Sequence, residues 1–311
     1  MSELARVRFT EVGPRDGFQN WPDPVGTETK VRLVKAALAA GVHRVEATSM
    51  VSPKWVPQMA DAEDVLSALS SDELERVRVL VPNLRGFARA ADAGVQNVLV
   101  NVGVTDGFNR KNLNRSVLET LDDIREVIDA ADEADVRVDA SVSVAWGCPY
   151  DGPVSADNTI ELAVRLAEMG VAEVSFGDTI GVATPTAVGT LATYALDRLG
   201  GIDVSMHFHD TRGLGVANVF SALEAGIEMF EGSIGGIGGC PFAPRSTGNV
   251  CSEDLLWMVQ QGGYETGADV WALCAAAQEL AAELGRDHLP GKLHRAGPPP
   301  WLLQPARTAE A

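Results

Sequence analysis

The tripeptide His207-Phe208-His209 sets two imidazoles two residues apart, with Met206 and Phe208 at the alternate positions. Successive side chains of an extended strand point to opposite faces, so both rings share one face and the apolar pair shares the other. Two imidazoles on one inward face offer nitrogen ligands to a metal. Taken alone, such a pair reads equally well as two hydrogen-bonded core histidines. Asp16, within Gly13-Pro14-Arg15-Asp16-Gly17, and Asn249 can complete a mixed nitrogen and oxygen set, which favours the metal. Oxygen ligands plus two imidazoles, with open positions, suit Mg2+, Mn2+ or a similar six-coordinate ion better than a closed thiolate zinc site.

Further groups able to do chemistry fall at comparable places. Glu46-Ala47-Thr48-Ser49 and Ser175-Phe176-Gly177-Asp178-Thr179 put polar side chains into otherwise apolar stretches. The glycine-rich run from Gly232 through Pro241 carries a thiol, Cys240. It reads as a loop needing positive φ angles, and also as a hinged lid that brings Cys240 over a substrate. Cys251 and Cys274 are taken as small buried hydrophobes on helices, with Cys148 intermediate. Arg110-Lys111-Asn112, with Arg115 and the more distant Lys54, is a concentrated basic stretch in a chain of net charge −18. A solvated helix start and a grip on a phosphate-bearing ligand are equally good readings of it.

These side chains need a frame, and the sequence supplies a repeating one. Strand-like segments at 7–11, 44–48, 77–81, 97–102, 136–144, 173–178, 204–209 and 229–234 alternate with helical ones such as 29–40, 117–134, 158–169, 187–199 and 216–225. Gly41, Gly94, Gly170 and Gly226 fall where helices should end in left-handed caps. Eight such repeats predict an α/β fold, a (β/α)8 TIM barrel with a C-terminal helical extension at 270–284. A doubly wound open sheet is the alternative, with fewer strands. In a barrel, catalytic groups collect at the strands' C-terminal ends, and five of the predicted strand ends carry potential ligands or proton donors. The remaining strand positions are expected to be Val, Ile and Ala. One barrel domain over 1–296 and a flexible tail over 297–311 complete the organisation.

Composition closes off other classes. The 43 acidic against 25 basic residues repel phosphate backbones and anionic membranes, so neither nucleic acid nor membrane is an expected partner. The 4 cysteines contain no C-x-x-C pair, which argues against a zinc ribbon or a disulfide framework. The start of the chain has no basic region followed by an apolar one, and no apolar run approaches the ~18 residues of a membrane span. A cytoplasmic location is the expectation.

The motifs EVGPRDGFQN at 11–20, EATSMVSPKWVPQM at 46–59, GDTIG at 177–181, HFHDT at 207–211 and GGCPFA at 238–243, followed by Gly248-Asn249, resemble those of 3-hydroxy-3-methylglutaryl-CoA lyase. The similarity runs from about Val7 to about Leu255. Single motifs are shared with isopropylmalate and homocitrate synthases and ketoacid aldolases, whereas the 46–59 block and Gly-Gly-Cys-Pro are much more specific to the lyases. The resemblance implies that Asp16, His207, His209 and Asn249 hold Mg2+ or Mn2+, which chelates the substrate's tertiary hydroxyl and a carboxylate oxygen. It implies that His207 or Asp16 takes the hydroxyl proton and that Arg15 stabilises the developing oxyanion. Cys240 then protonates the enolate carbon, and Glu46 orients Arg15 or the metal shell. Lys111 and Asn112 would hold CoA, with Gln19, Ser143, Ser175, Asp178 and Thr179 as further substrate contacts. A homodimer or higher homo-oligomer and a place in leucine degradation also follow from the resemblance.

Some residues depart from the family pattern. The fifth strand reads Ser141-Val142-Ser143-Val144-Ala145-Trp146 where a Tyr is expected, and Arg212 and Arg245 are unusual. Leu289-Pro290-Gly291-Lys292 is similar to a bacterial side branch. With Ser141, Ser143 and Ala145 turned inward, the acyl pocket should be roomier than in the lyase proper, with Phe18 refilling part of it. Two competing readings are a Claisen-condensing synthase or ketoacid aldolase on the same barrel, and a catalytically dead binding module. The synthases carry a long C-terminal domain, and every expected ligand is retained here. Both observations favour the lyase.

Overall fold

Apolar side chains, valine most often, alternate with polar ones along the barrel strands, and the apolar face is buried against helices. The computed structural model describes residues 5–239 and 248–302. In chain order the strands are β1 (Arg8–Glu11), β2 (Arg44–Ser49), β3 (Val77–Leu80), β4 (Asn97–Gly103), β5 (Arg137–Ser143), β6 (Gly147–Cys148), β7 (Gly152–Pro153), β8 (Glu173–Asp178), β9 (Asp203–Phe208) and β10 (Met229–Gly232). Eight of them close a parallel barrel in the order β1-β2-β3-β4-β5-β8-β9-β10, while β6 and β7 form a small antiparallel hairpin. Pairing of Arg8–Glu11 with Met229–Gly232 closes the ring. All eight predicted strands are therefore present, and the fold is a (β/α)8 TIM barrel.

The outward faces pack as expected: Val45, Val77, Val98, Val100, Val174, Phe176, Met206 and Phe208 are buried in one continuous core with the helices. A fully buried side chain of this size contributes about 1.5–3 kcal/mol. Gly41, Gly94, Gly170 and Gly226 all take positive φ at their helix ends. Several helices start two residues earlier than predicted because capping was under-read. Ser155 caps Ala156–Met169, and Thr184 with Pro185 opens Pro185–Arg198. The predicted extension is the helix Val270–Glu283, packed against Thr27–Ala39.

Two expectations need correction. The fifth strand ends at Ser143, because Val144 takes φ 55, a left-handed conformation that costs a β-branched residue roughly 1–3 kcal/mol. Alternation stops there. Ala145 is tied by its backbone to Gly177 and Thr159, 3.1 and 2.8 Å, and does not extend the inward face. Trp146 lies against Phe208, with ring centroids 5.6 Å apart. Phe18 is fully buried in the hydrophobic core.

The second correction concerns the lumen, which is charged in its lower layers. Arg44 donates to Asn97, Asp139 and Glu173 at 2.9, 2.7 and 2.5 Å. Above it, Arg78, with no exposed surface, reaches Glu46 and Glu231 at 2.7 and 2.6 Å and Glu173 at 3.4 Å. Exchanging buried ion pairs for apolar side chains is often neutral or stabilising by about 1–4 kcal/mol. Stability alone therefore does not account for these charges, which sit directly beneath the site.

Candidate active site

The chain leaves β1 through a tight π-helical turn, Gly13–Gly17, that swings Arg15 and Asp16 over the barrel mouth. Glu11 fixes this turn. Its buried carboxylate accepts from the Gly13 and Ile234 amides at 2.7 and 2.8 Å and from the Ser252 hydroxyl at 2.5 Å. Arg15 is clamped between Glu46 and Asp16, with its Nη1 2.7 Å from Asp16 Oδ1. Glu46 in turn rests on Arg78 at 2.7 Å.

Two strands round from β1, β9 delivers His207, and His209 follows just past the strand end in an antiparallel bridge with Asn249. The ring centroids of the two histidines are 5.2 Å apart, and Met206 and Phe208 point into the core. Asn249 Nδ2 donates to Asp16 Oδ2 at 2.8 Å and to the Ile237 carbonyl at 3.2 Å. His209 Nε2 lies 4.0 Å from Asp16 Oδ2. The structure thus brings Asp16, His207, His209 and Asn249 together.

Burial works against every charge here, and neighbours decide the outcome. Burial raises the Asp16 carboxyl, but Arg15, His207 and His209 outweigh it and hold the group below its usual range. Burial likewise opposes a charged His207, yet the Glu231 carboxylate, 3.0 Å from Nδ1, raises its pKa overall. At His209 the pull of Asp16 and of the Thr179 backbone is outweighed. Burial, with His207 alongside, pushes this imidazole down to about 4. Arg78 and His207 overcome burial to keep Glu231 well below the usual carboxylate range.

Asp16, His207 and His209 present ligand atoms within 4.8 Å of one another. Among the described residues, Asn249 Oδ1 is buried with no hydrogen-bond partner. An orphaned amide oxygen beside a carboxylate and two imidazoles is a donor waiting for a cation. With Nδ1 of His207 occupied by Glu231, its Nε2 is the free ligand nitrogen, the carboxylate–histidine arrangement common behind metals. The residues present fit a divalent ion.

A model of the HMGL-like family matches residues 6–280, nearly the whole barrel and its extension. The chain belongs to the HMGL-like family. It is 40% identical to (R)-citramalyl-CoA lyase of Chloroflexus aurantiacus over 305 residues, covering 95% of this chain and 96% of that protein. It is 41% identical to a 3-hydroxy-3-isohexenylglutaryl-CoA/hydroxymethylglutaryl-CoA lyase of Pseudomonas aeruginosa, covering 91% and 94% of the two chains. The crystal structure of hydroxymethylglutaryl-CoA lyase from Pseudomonas aeruginosa superposes with a TM-score of 0.89 at 40% identity, over 94% of this chain and 98% of that one. Membership in the HMGL-like family makes the chain a carbon–carbon lyase and points to a divalent metal.

The other expected site residues are distributed differently. Ser143 accepts from Asn101 at 2.8 Å on the inner face of β5, and Ser175 is buried with its hydroxyl unpartnered. Gln19 follows the β1 turn with a buried, unpartnered Oε1. Asp178 and Thr179 use their side chains on loops. Asp178 accepts from the Val182 and Ala183 amides at 2.8 and 3.1 Å, and Thr179 accepts from Val144 at 2.8 Å. Burial pushes Asp178 up to about 6. Lys111 and Asn112 are exposed at the end of the helix Asp106–Asn112, outside the cluster. Arg110 and Arg115 pair with Asp106 and Asp123, 3.6 and 3.2 Å away, and Lys54 lies over the Trp55 ring at 5.6 Å. Arg212 donates to the Ile180 and Gly181 carbonyls, both at 2.8 Å. Cys240 and Arg245 lie outside the described residues.

Sequence reasoning missed Glu231, Arg78 and Glu11. Their signal was present: a charge at the inward position of an apolar strand, as in Val77-Arg78-Val79 and Phe230-Glu231-Gly232.

Proposed function

We propose that this chain cleaves 3-hydroxy-3-methylglutaryl-CoA, or an acyl-CoA built like it, to acetyl-CoA and a keto acid, with Mg2+ or Mn2+ held by Asp16, His207, His209 and Asn249. The convergence of those four side chains beside the clamped Arg15 carries the reading. The bound ion would acidify the substrate's tertiary hydroxyl. Asp16 takes the hydroxyl proton, because His207 is committed to the ion through Nε2 and to Glu231 through Nδ1. The C3–O electrons form the new carbonyl, the C2–C3 bond breaks, and its electron pair passes into the thioester as an enolate. Arg15, fixed by Glu46 and Asp16, faces the developing oxyanion already oriented. Cys240 supplies the proton that C2 takes up to give acetyl-CoA. Lys111 and Asn112 hold the CoA, and Gln19, Ser143 and Ser175 contact the acyl part.

A second reading of the substrate has its own support. Ser141 and Ser143 line the inner face of β5 with small side chains, and two relatives are named for acyl groups other than the methyl compound alone. A 3-substituent larger than methyl fits that wall. The condensing synthase remains the competing reaction on this barrel. We place the protein in the cytoplasm, in a leucine-degradation-like role, as a homodimer or higher homo-oligomer. Residues 1–296 act as one domain and 297–311 as a tail. Among the described residues no helix is long and apolar enough to cross a membrane.

Metal removal tests the proposal. Chelation should abolish turnover of 3-hydroxy-3-methylglutaryl-CoA and Mg2+ or Mn2+ should restore it, while His209→Ala should lose bound metal and activity together. Full activity in metal-stripped protein overturns it.

A further inference from the structure

A second cluster of metal-ligating side chains lies behind the glycine run. Cys251 Sγ, a Glu253 carboxylate oxygen and a His294 ring nitrogen lie within 4.8 Å of one another, and the three residues are 5%, 0% and 3% exposed. Cys251 is buried, as expected from sequence, but it caps a helix instead of lying within it. It stands just before the helix Ser252–Gln261, with Sγ 2.5 Å from Glu253 Oε2. That contact accounts for the thiol and leaves the imidazole unexplained. Among the described residues, both His294 ring nitrogens are buried without any hydrogen-bond partner. A buried polar atom in that condition keeps its desolvation penalty with nothing to offset it.

The surrounding chain is built to bring these groups together. Asp254 accepts from the Lys292 and Leu293 amides at 3.0 and 2.6 Å, and Gln278 donates to the His294 carbonyl at 2.7 Å. Gly291 donates its amide to Gly235 at 2.8 Å. A Cβ on Gly291 would overlap the Cys251 sulfur and crowd the His294 ring, so the backbone passes directly over the cluster. Glu253 also accepts from the Gly235 amide at 3.0 Å, which joins the cluster to the glycine run.

We propose that Cys251, Glu253 and His294 form a second metal site, of a class suited to Zn2+, that fastens residues 289–296 onto the glycine run. Thiolate, imidazole and carboxylate together are a zinc-type donor set, unlike the oxygen-rich set of the barrel mouth. Zinc bonds of about 2.0–2.3 Å in a tetrahedron place ligand atoms roughly 3.4–3.6 Å apart. The sulfur and Glu253 must therefore separate by about 1 Å, while the imidazole moves inward. On binding, the thiol proton leaves to solvent, and a thiolate, a carboxylate and a neutral imidazole balance the charge of the ion.

Cobalt reports this site directly. Protein carrying His209→Ala and Cys240→Ser, which removes one imidazole of the mouth site and the thiol of the glycine run, is stripped and titrated with Co2+. A thiolate-to-cobalt charge-transfer band saturating at one equivalent is expected, lost on adding Cys251→Ser and displaced by Zn2+. No band in excess Co2+, with the far-ultraviolet circular dichroism of a folded barrel, overturns the proposal. The protein without substitutions gives a second reading. Its zinc content after gel filtration should exceed that of His294→Ala by one equivalent, and equal contents overturn the proposal.

Discussion

Replacing Glu231 with Gln keeps the size of the side chain and removes the charge behind His207. Its Oε2 is 3.0 Å from His207 Nδ1, so the Coulomb attraction at an effective dielectric of about 20 has an upper bound of about 5.5 kcal/mol. Arg78, 2.6 Å from the other oxygen, offsets much of that, so the net effect should be far smaller. Loss of a carboxylate behind a ligand histidine typically weakens metal binding about 10–100-fold, or roughly 1.4–2.7 kcal/mol. Titration calorimetry with Mn2+ should show that weakening in Glu231→Gln. The pH dependence gives an independent check on its cause. The raised pKa of His207 means that its proton competes with the ion as pH falls, weakening binding about tenfold per unit below that pKa. His209, at about 4, adds nothing until far lower pH. Without Glu231 the His207 pKa drops, so the inflection in affinity should move to lower pH. An unchanged affinity and an unchanged inflection in Glu231→Gln would refute the role given to this carboxylate.

Other expectations follow from the same geometry. Cys240→Ser should lower kcat by about 10²–10⁴-fold, the usual cost of a lost positioned proton donor, with metal content unchanged; near-normal turnover removes the thiol from the chemistry. Arg78→Met leaves Glu46, Glu173 and Glu231 without their shared cation and should cost about 3–5 kcal/mol in urea unfolding; a shift under 1 kcal/mol would mean the lumen charges are compensated elsewhere. Acyl-CoAs with a 3-substituent larger than methyl should show kcat/KM at least comparable to the methyl compound, and Ser141→Tyr should restore preference for methyl. A steep fall with substituent size in the unmodified enzyme argues against the enlarged wall.

Local signals carried most of the fold and the centre of the candidate site. The His207–His209 spacing fixes both side-chain directions once extended backbone is assumed, and β9 with the His209 bridge to Asn249 meets that assumption. Glycine caps and apolar periodicity likewise act over a few residues, so the eight strands were legible. Val144 was not, because a β-branched residue at φ 55 runs against its own backbone preference and only tertiary contacts hold it there. The chain from Arg15 through Glu46, Arg78 and Glu231 to His207 draws on four strands and one turn, and the barrel alone makes them neighbours. Cys251 and His294 are 43 positions apart, and no short motif joins them.

The central claim is metal-dependent cleavage that leaves a carbanion equivalent on the thioester fragment. Metal-loaded protein incubated with 3-hydroxy-3-methylglutaryl-CoA in D2O, with products read by mass spectrometry, tests it most directly. The account predicts acetoacetate and acetyl-CoA in equal amounts, with deuterium taken up at the acetyl methyl group, and no products after chelation. Intact substrate with metal present, or cleavage that survives complete removal of metal, would contradict it.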